Sequence, residues 1–102
     1  MEYIPKSERK KEKPVKFFLK ELTVEDGIEI DNAMTSIDNK GKTSFNLGMA
    51  KFKKFECGVT GWENLSFEFS KENIKKVSYR FFNEVVEEIN KTSGLNDTQE
   101  QD

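Results

Sequence analysis

Apolar positions fall in five stretches along the chain, and their spacing changes from one stretch to the next. Val15-Lys16-Phe17-Phe18-Leu19-Lys20-Glu21-Leu22 concentrates β-branched and aromatic residues in a short run, which predicts a strand over 15–22 with one partly open face. Thr23 then stands where a helix N-cap belongs, with Glu25 and Asp26 in the first turn, and Ile30, Ala33, Met34 and Ile37 follow at i, i+3, i+4 and i+7. A hairpin turning on Asp26-Gly27 competes with this reading, but its register sets polar residues against apolar ones on both faces, so a helix over 23–37 is favoured. Ser44 is placed to cap a second helix over 44–58, with Phe45, Met49, Phe52, Phe55 and Val59 near one side and Lys51, Lys53 and Lys54 on another. Leu65, Phe67 and Phe69 alternate with polar residues, which predicts a strand over 65–69 that pairs with the first.

The last stretch has the strongest pattern. Ser70 caps it, with Phe69 and Ile74 forming a hydrophobic staple across the cap, and Ile74, Val77, Phe81, Val85 and Ile89 form an apolar stripe widened by Phe82 and Val86. Gly94 is the stop, so a helix over 71–92 is expected. The fold class is therefore α+β and mainly helical, with three helices and a small two-stranded sheet. Trp62, Phe69, Ile74 and Phe81 are the expected structural anchors, Trp62 lying between the middle and last helices.

Composition narrows the picture further. Of 102 residues, 26 are Leu, Ile, Val or Phe, a quarter of the chain and enough for one thin core. The net charge of −2 conceals an asymmetry: residues 1–16 carry six bases against three acids, and residues 83–102 six acids against one base. Ser7–Pro14 has no apolar residue at all. Residues 1–14 are thus expected to be a flexible charged arm, 15–95 a single domain, and 96–102 a disordered acidic tail.

Candidate chemistry is sparse. The chain has no His and one Cys, which excludes His-based acid–base catalysis and zinc sites of the Cys/His kind. Cys57 reads as a small core-facing residue, its pKa depressed slightly by Lys53 and Lys54. Glu84, Glu87 and Glu88 read as a solvated face, and no glycine pattern matches a phosphate loop. No cofactor, metal or catalytic residue is expected, and no run of about 18 apolar residues suggests a membrane span. The start lacks the apolar core of a signal peptide, so the chain is expected to stay in the cell that made it. What exceeds the needs of a core is the wide stripe of the last helix: Phe82, Val86 and Ile89, with Phe52 and Phe55 of the middle helix, are the expected partner-binding residues, serving a client or self-association.

Three segments together resemble the small tail assembly chaperones of tailed bacteriophages: Glu2-Tyr3-Ile4-Pro5-Lys6-Ser7-Glu8-Arg9, then Phe18-Leu19-Lys20-Glu21-Leu22-Thr23 after a proline, then Gly61-Trp62-Glu63-Asn64 followed by Phe69-Ser70 and a final helix. Leu65-Ser66-Phe67-Glu68 departs from the Gly-containing polar loop expected between the Trp turn and the Phe-Ser cap. The resemblance implies a non-catalytic protein of the host bacterial cytoplasm that coats the hydrophobic tape measure protein while tail tube protein polymerises around it. Two other classes compete. The basic arm at 6–16 and the lysines of the middle helix would suit nucleic acid, against which stand a pI near 5.3 and only two Arg. A small inhibitor or adaptor docking on a host protein is the third.

Overall fold

The computed structural model describes residues 1–37 and 39–94. Helix accounts for 47% and strand for 18%, so the mixed α+β class holds and the expectation of a mainly helical chain is roughly met. In chain order the elements are β1 (Glu2–Tyr3), β2 (Lys16–Leu19), α1 (Val24–Met34), β3 (Thr35–Ile37), β4 (Thr43–Phe45), α2 (Leu47–Gly58), β5 (Val59–Glu63) and α3 (Tyr79–Thr92). No helix among the described residues is long and apolar enough to cross a membrane. The expected acidic tail over 96–102 lies outside the described residues.

The sheet has three antiparallel strands in the order β1-β2-β5. β2 is central because its alternation works as expected: Phe17 and Leu19 are buried on one face, while Lys16 and Phe18 are half-covered on the other. Its partner differs from the one expected. β5 supplies it, pairing Phe17 with Trp62 and Leu19 with Val59 across an irregularity, whereas residues 65–69 form no strand. Asn64 adopts a left-handed backbone (φ 67°), and its side-chain amide donates to the Pro14 carbonyl at 2.8 Å, so the chain turns off the sheet there. Leu65 and Phe67 then alternate inward because they wrap the indole, with the Trp62 Nε1–H donating to the Phe67 carbonyl at 2.9 Å.

The first fourteen residues require a second correction, since they are not a free arm. The Met1 ammonium donates to the Leu19 carbonyl at 3.1 Å, β1 pairs with β2, and Pro5 is fully buried. Glu8 is buried as well, accepting from the Val15 N–H at 3.1 Å and from Lys11 at 2.7 Å. Those hydrogen bonds, that of Lys11 first, hold its carboxyl below the ordinary range. A charged stretch without apolar side chains was thus ordered by its flanks, Tyr3 and Pro5 on one side and Val15 on the other.

The helices start later or stop sooner than their periodicity suggests. α1 begins as expected on Thr23, with a capping box in which the Asp26 N–H reaches Thr23 Oγ1 and the Thr23 N–H reaches Asp26 Oδ2. It stops at Met34, and Thr35–Ile37 pairs with Thr43–Phe45 as a separate hairpin whose six residues are all exposed. Phe45 and Ser44 are thereby removed from α2, and Asn46 caps it instead, its Oδ1 accepting from the Met49 N–H at 3.0 Å. Ser70 caps no α-helix: its Oγ accepts from the Asn73 N–H at 3.1 Å ahead of a short 3-10 turn over Asn73–Lys76 whose N-cap is Glu72, Val77 is extended, and Ser78 is the N-cap of α3. The expected helix over 71–92 is therefore two pieces.

The core gathers around Phe17, which is fully buried and makes edge-to-face contacts with Phe55, Trp62 and Phe81 at centroid distances of 6.2, 6.1 and 6.0 Å. Phe17→Ala is expected to cost about 3–5 kcal/mol in chemical denaturation, the range for a buried aromatic. Two glycines should respond in opposite ways. A Cβ at Gly58 would lie 2.7 Å from Ile89 Cδ1 in the packed core, so Gly58→Ala should lower stability by about 1–3 kcal/mol. A Cβ at Gly27 meets nothing within 4 Å, so Gly27→Ala should raise stability by about 0.5–1 kcal/mol through helix propensity.

Candidate functional site

α2 packs against both α1 and α3, while α1 and α3 scarcely touch each other. Just before α1 and just after α3, the Leu22 N–H donates to Ser93 Oγ at 2.9 Å. An open groove of about 670 Å³ lies between the three helices. Its floor is apolar and buried, formed by Ile30, Ala50 and Val86. Its lips are apolar too, yet exposed: Val24 is 83% and Leu47 69% accessible. Lys51 and Lys54 line the α2 side, Asp31 the α1 side and Asn90 the α3 side. Gly27 faces the open space without a side chain.

Most of the expected partner-binding residues are elsewhere. Phe55 and Ile89 are completely buried and Val86 is nearly so, which corrects their assignment to an exposed surface. The stripe of α3 is wide because it is covered from more than one direction: its buried members share one cluster with Phe55 of α2 and with Phe17, Leu19, Val59 and Trp62 of the sheet. Phe82 is half-buried, stacked on Tyr79 at 6.0 Å and tilted against Phe55 at 5.2 Å. Phe52, also half-buried, borders a shallower hollow with Met49 and Lys71. Of the five, Val86 alone reaches the groove.

Among the anchors, Trp62 and Ile74 are buried and Phe81 is half-buried against Phe17. Phe69 remains 40% exposed, its ring edge-on to Trp62 at 5.0 Å. The rings around Trp62 are Phe17 of the sheet and Phe67 and Phe69 of the wrapping loop, rather than side chains of α2. Val24, Gly27, Met34 and Leu47 line the groove but were not among the binding residues expected from the sequence. Their only signal was negative: Val24 and Leu47 lie in first turns, off the apolar stripe of their own helices.

Polar chemistry clusters at two other places. Glu84 is no solvated acid: its Oε1 accepts from the Tyr3 hydroxyl at 2.9 Å and from the Lys6 N–H at 3.0 Å, fastening the N-terminal segment across α3. Burial and then that bond push the Tyr3 hydroxyl up to about 12. Asp26, Glu29 and Cys57 bring one ligand atom each within 4.8 Å of the others, the one grouping of metal-binding type among the described residues. Asp26 Oδ2 is already engaged by Lys20 and by its capping bond, the Lys20 contact above all holding its carboxyl below the ordinary range. Cys57 Sγ is 3.8 Å from Glu29 Oε2. Burial first, then the charges of Asp26 and Glu29, push the thiol up to about 11, so the expected lowering by neighbouring lysines is reversed; Lys53 does act in that direction but is outweighed.

The half-buried Cys57 should accordingly react far more slowly with an aromatic disulfide at neutral pH than free cysteine does, because the thiolate is the nucleophile. The measured rate should continue to climb as pH rises toward 11, and a plateau near pH 9 would contradict the assignment. Comparison with known proteins finds no match to this chain among protein families, curated proteins or solved structures.

Proposed function

We propose that this chain is a non-catalytic tail assembly chaperone that keeps the hydrophobic tape measure protein soluble in the host bacterial cytoplasm while tail tube protein assembles around it. The observation that supports this reading best is the groove, whose floor is apolar and whose lips, Val24 and Leu47, stay exposed to water. Exposed large apolar side chains grouped along a cleft are a feature of protein-binding surfaces, since leaving them wet forgoes burial worth roughly 25 cal/mol per Å². Two more, Ile37 and Phe45, are each 70% exposed on the projecting hairpin. The nucleic-acid reading loses support in the same structure. In the basic N-terminal segment Lys11 pairs with Glu8, Lys16 with Glu2, and the Arg9 guanidinium lies over the Tyr3 ring at 5.7 Å.

Co-expression with a long helical tape measure protein tests the proposal. The client should appear in the soluble fraction with the wild-type chain and precipitate without it. Val24→Asp combined with Leu47→Asp should leave the melting temperature within a few degrees of wild type, both sites being exposed, while client solubility is lost. A client no more soluble with the wild-type chain than without it would refute the reading, whereas a client equally soluble with the double variant would put its contact outside the groove lips.

A further inference from the structure

The groove has a shape, a length and a charge that select among occupants. Its walls are helices, so it presents no free strand edge, and an extended segment lying in it would leave its own N–H and C=O groups unpaired over Ile30, Ala50 and Val86. A helix satisfies those groups internally. The eleven residues of α1 give the groove a wall of about 16 Å at 1.5 Å per residue, three helical turns.

Charge sets the orientation. Lys51 and Lys54 stand one turn apart on the α2 side, and the only acid lining the groove is Asp31 on the opposite wall. Lys51 is exposed and forms no ion pair among the described residues. The neighbouring Lys53 is directed elsewhere, pairing with Glu56 at 2.9 Å, an interaction that raises its pKa. The α2 side of the groove is thus basic and the α1 side is acidic.

Building on the client-binding reading above, we infer that the groove takes one amphipathic helical segment of about three turns from the client, its apolar stripe on Ile30, Ala50 and Val86 and its carboxylate-bearing flank toward Lys51. This is the helix-in-groove mode of recognition, with Lys51 choosing among apolar helices that the floor alone would accept equally.

The test uses the full chain and two lactam-stapled, fluorescein-labelled three-turn peptides with the same leucine stripe, one with glutamates along a flank and the other with lysines there. Stapling supplies the helicity that so short a peptide lacks in water. By fluorescence anisotropy at low ionic strength the glutamate peptide should bind about tenfold more tightly than its lysine twin, and added salt should shrink the difference. Lys51→Glu should abolish that preference. Gly27→Leu, which places a side chain in the open groove of a helix it should otherwise favour, should remove binding of both peptides with no fall in melting temperature. Equal affinity for the two peptides, or binding indifferent to Gly27→Leu, overturns the inference. So does a wild-type chain that sediments as a dimer and becomes monomeric as Gly27→Leu, for the occupant would then be a second copy. Client co-expression separates the two proposals: a tape measure protein kept soluble by Gly27→Leu as well as by wild type removes the groove and leaves the chaperone reading standing.

Discussion

The Phe17 ring is the contact on which the rest of the structure depends. It belongs to the central strand, yet the rings that close around it come from α2, β5 and α3, so a single side chain joins the sheet to two of the three helices. Edge-to-face pairs of this kind favour particular angles as well as burial. They therefore set how the two helices lie on the sheet, beyond drawing them onto it. Ile89 against Gly58 completes the arrangement, because the missing side chain lets α3 approach the end of α2 where the chain enters β5.

That arrangement leaves one helix outside. α2 and α3 are both spent on the aromatic cluster, whereas α1 contributes nothing to it and rests mainly on α2 through Ile30, Ala33 and Met34. A helix with one buried apolar residue has little to hold it against a second neighbour. The groove between α1 and α3 follows from this imbalance, and so does the exposure of Val24 and Leu47 at its lips. Apart from Val86, which belongs to both, the surface proposed to bind a client is thus the part of the apolar inventory that the Phe17 cluster leaves out.

The charged segments contribute in an unexpected place. Glu84 and Tyr3 are 81 residues apart in the chain and 2.9 Å apart in space, and with Glu8 and the Met1 ammonium they convert a polar N-terminus into the third strand and a clasp over α3. Each bond is modest, about 1 kcal/mol net for a typical one, more where a charged group takes part. Together they cover a sheet edge that would otherwise be open to pairing with other chains.

What the sequence determined by itself was local. The capping box on Thr23 and Asp26, the inward alternation of Phe17 and Leu19, the burial of Trp62 and Ile74 and the apolar stripe of α3 all follow from side chains within a few positions of one another, and all are present. The tertiary structure decided what covers each apolar face. Alternation at Leu65, Phe67 and Phe69 is the same whether those residues join a ladder or wrap an indole, and the left-handed Asn64 chose the second. The width of the α3 stripe is the same whether its flank meets a partner or meets Phe55, and the Phe17 cluster chose Phe55. Periodicity specifies the direction in which a side chain points; what it meets there depends on chain segments dozens of residues away, which no local spacing encodes.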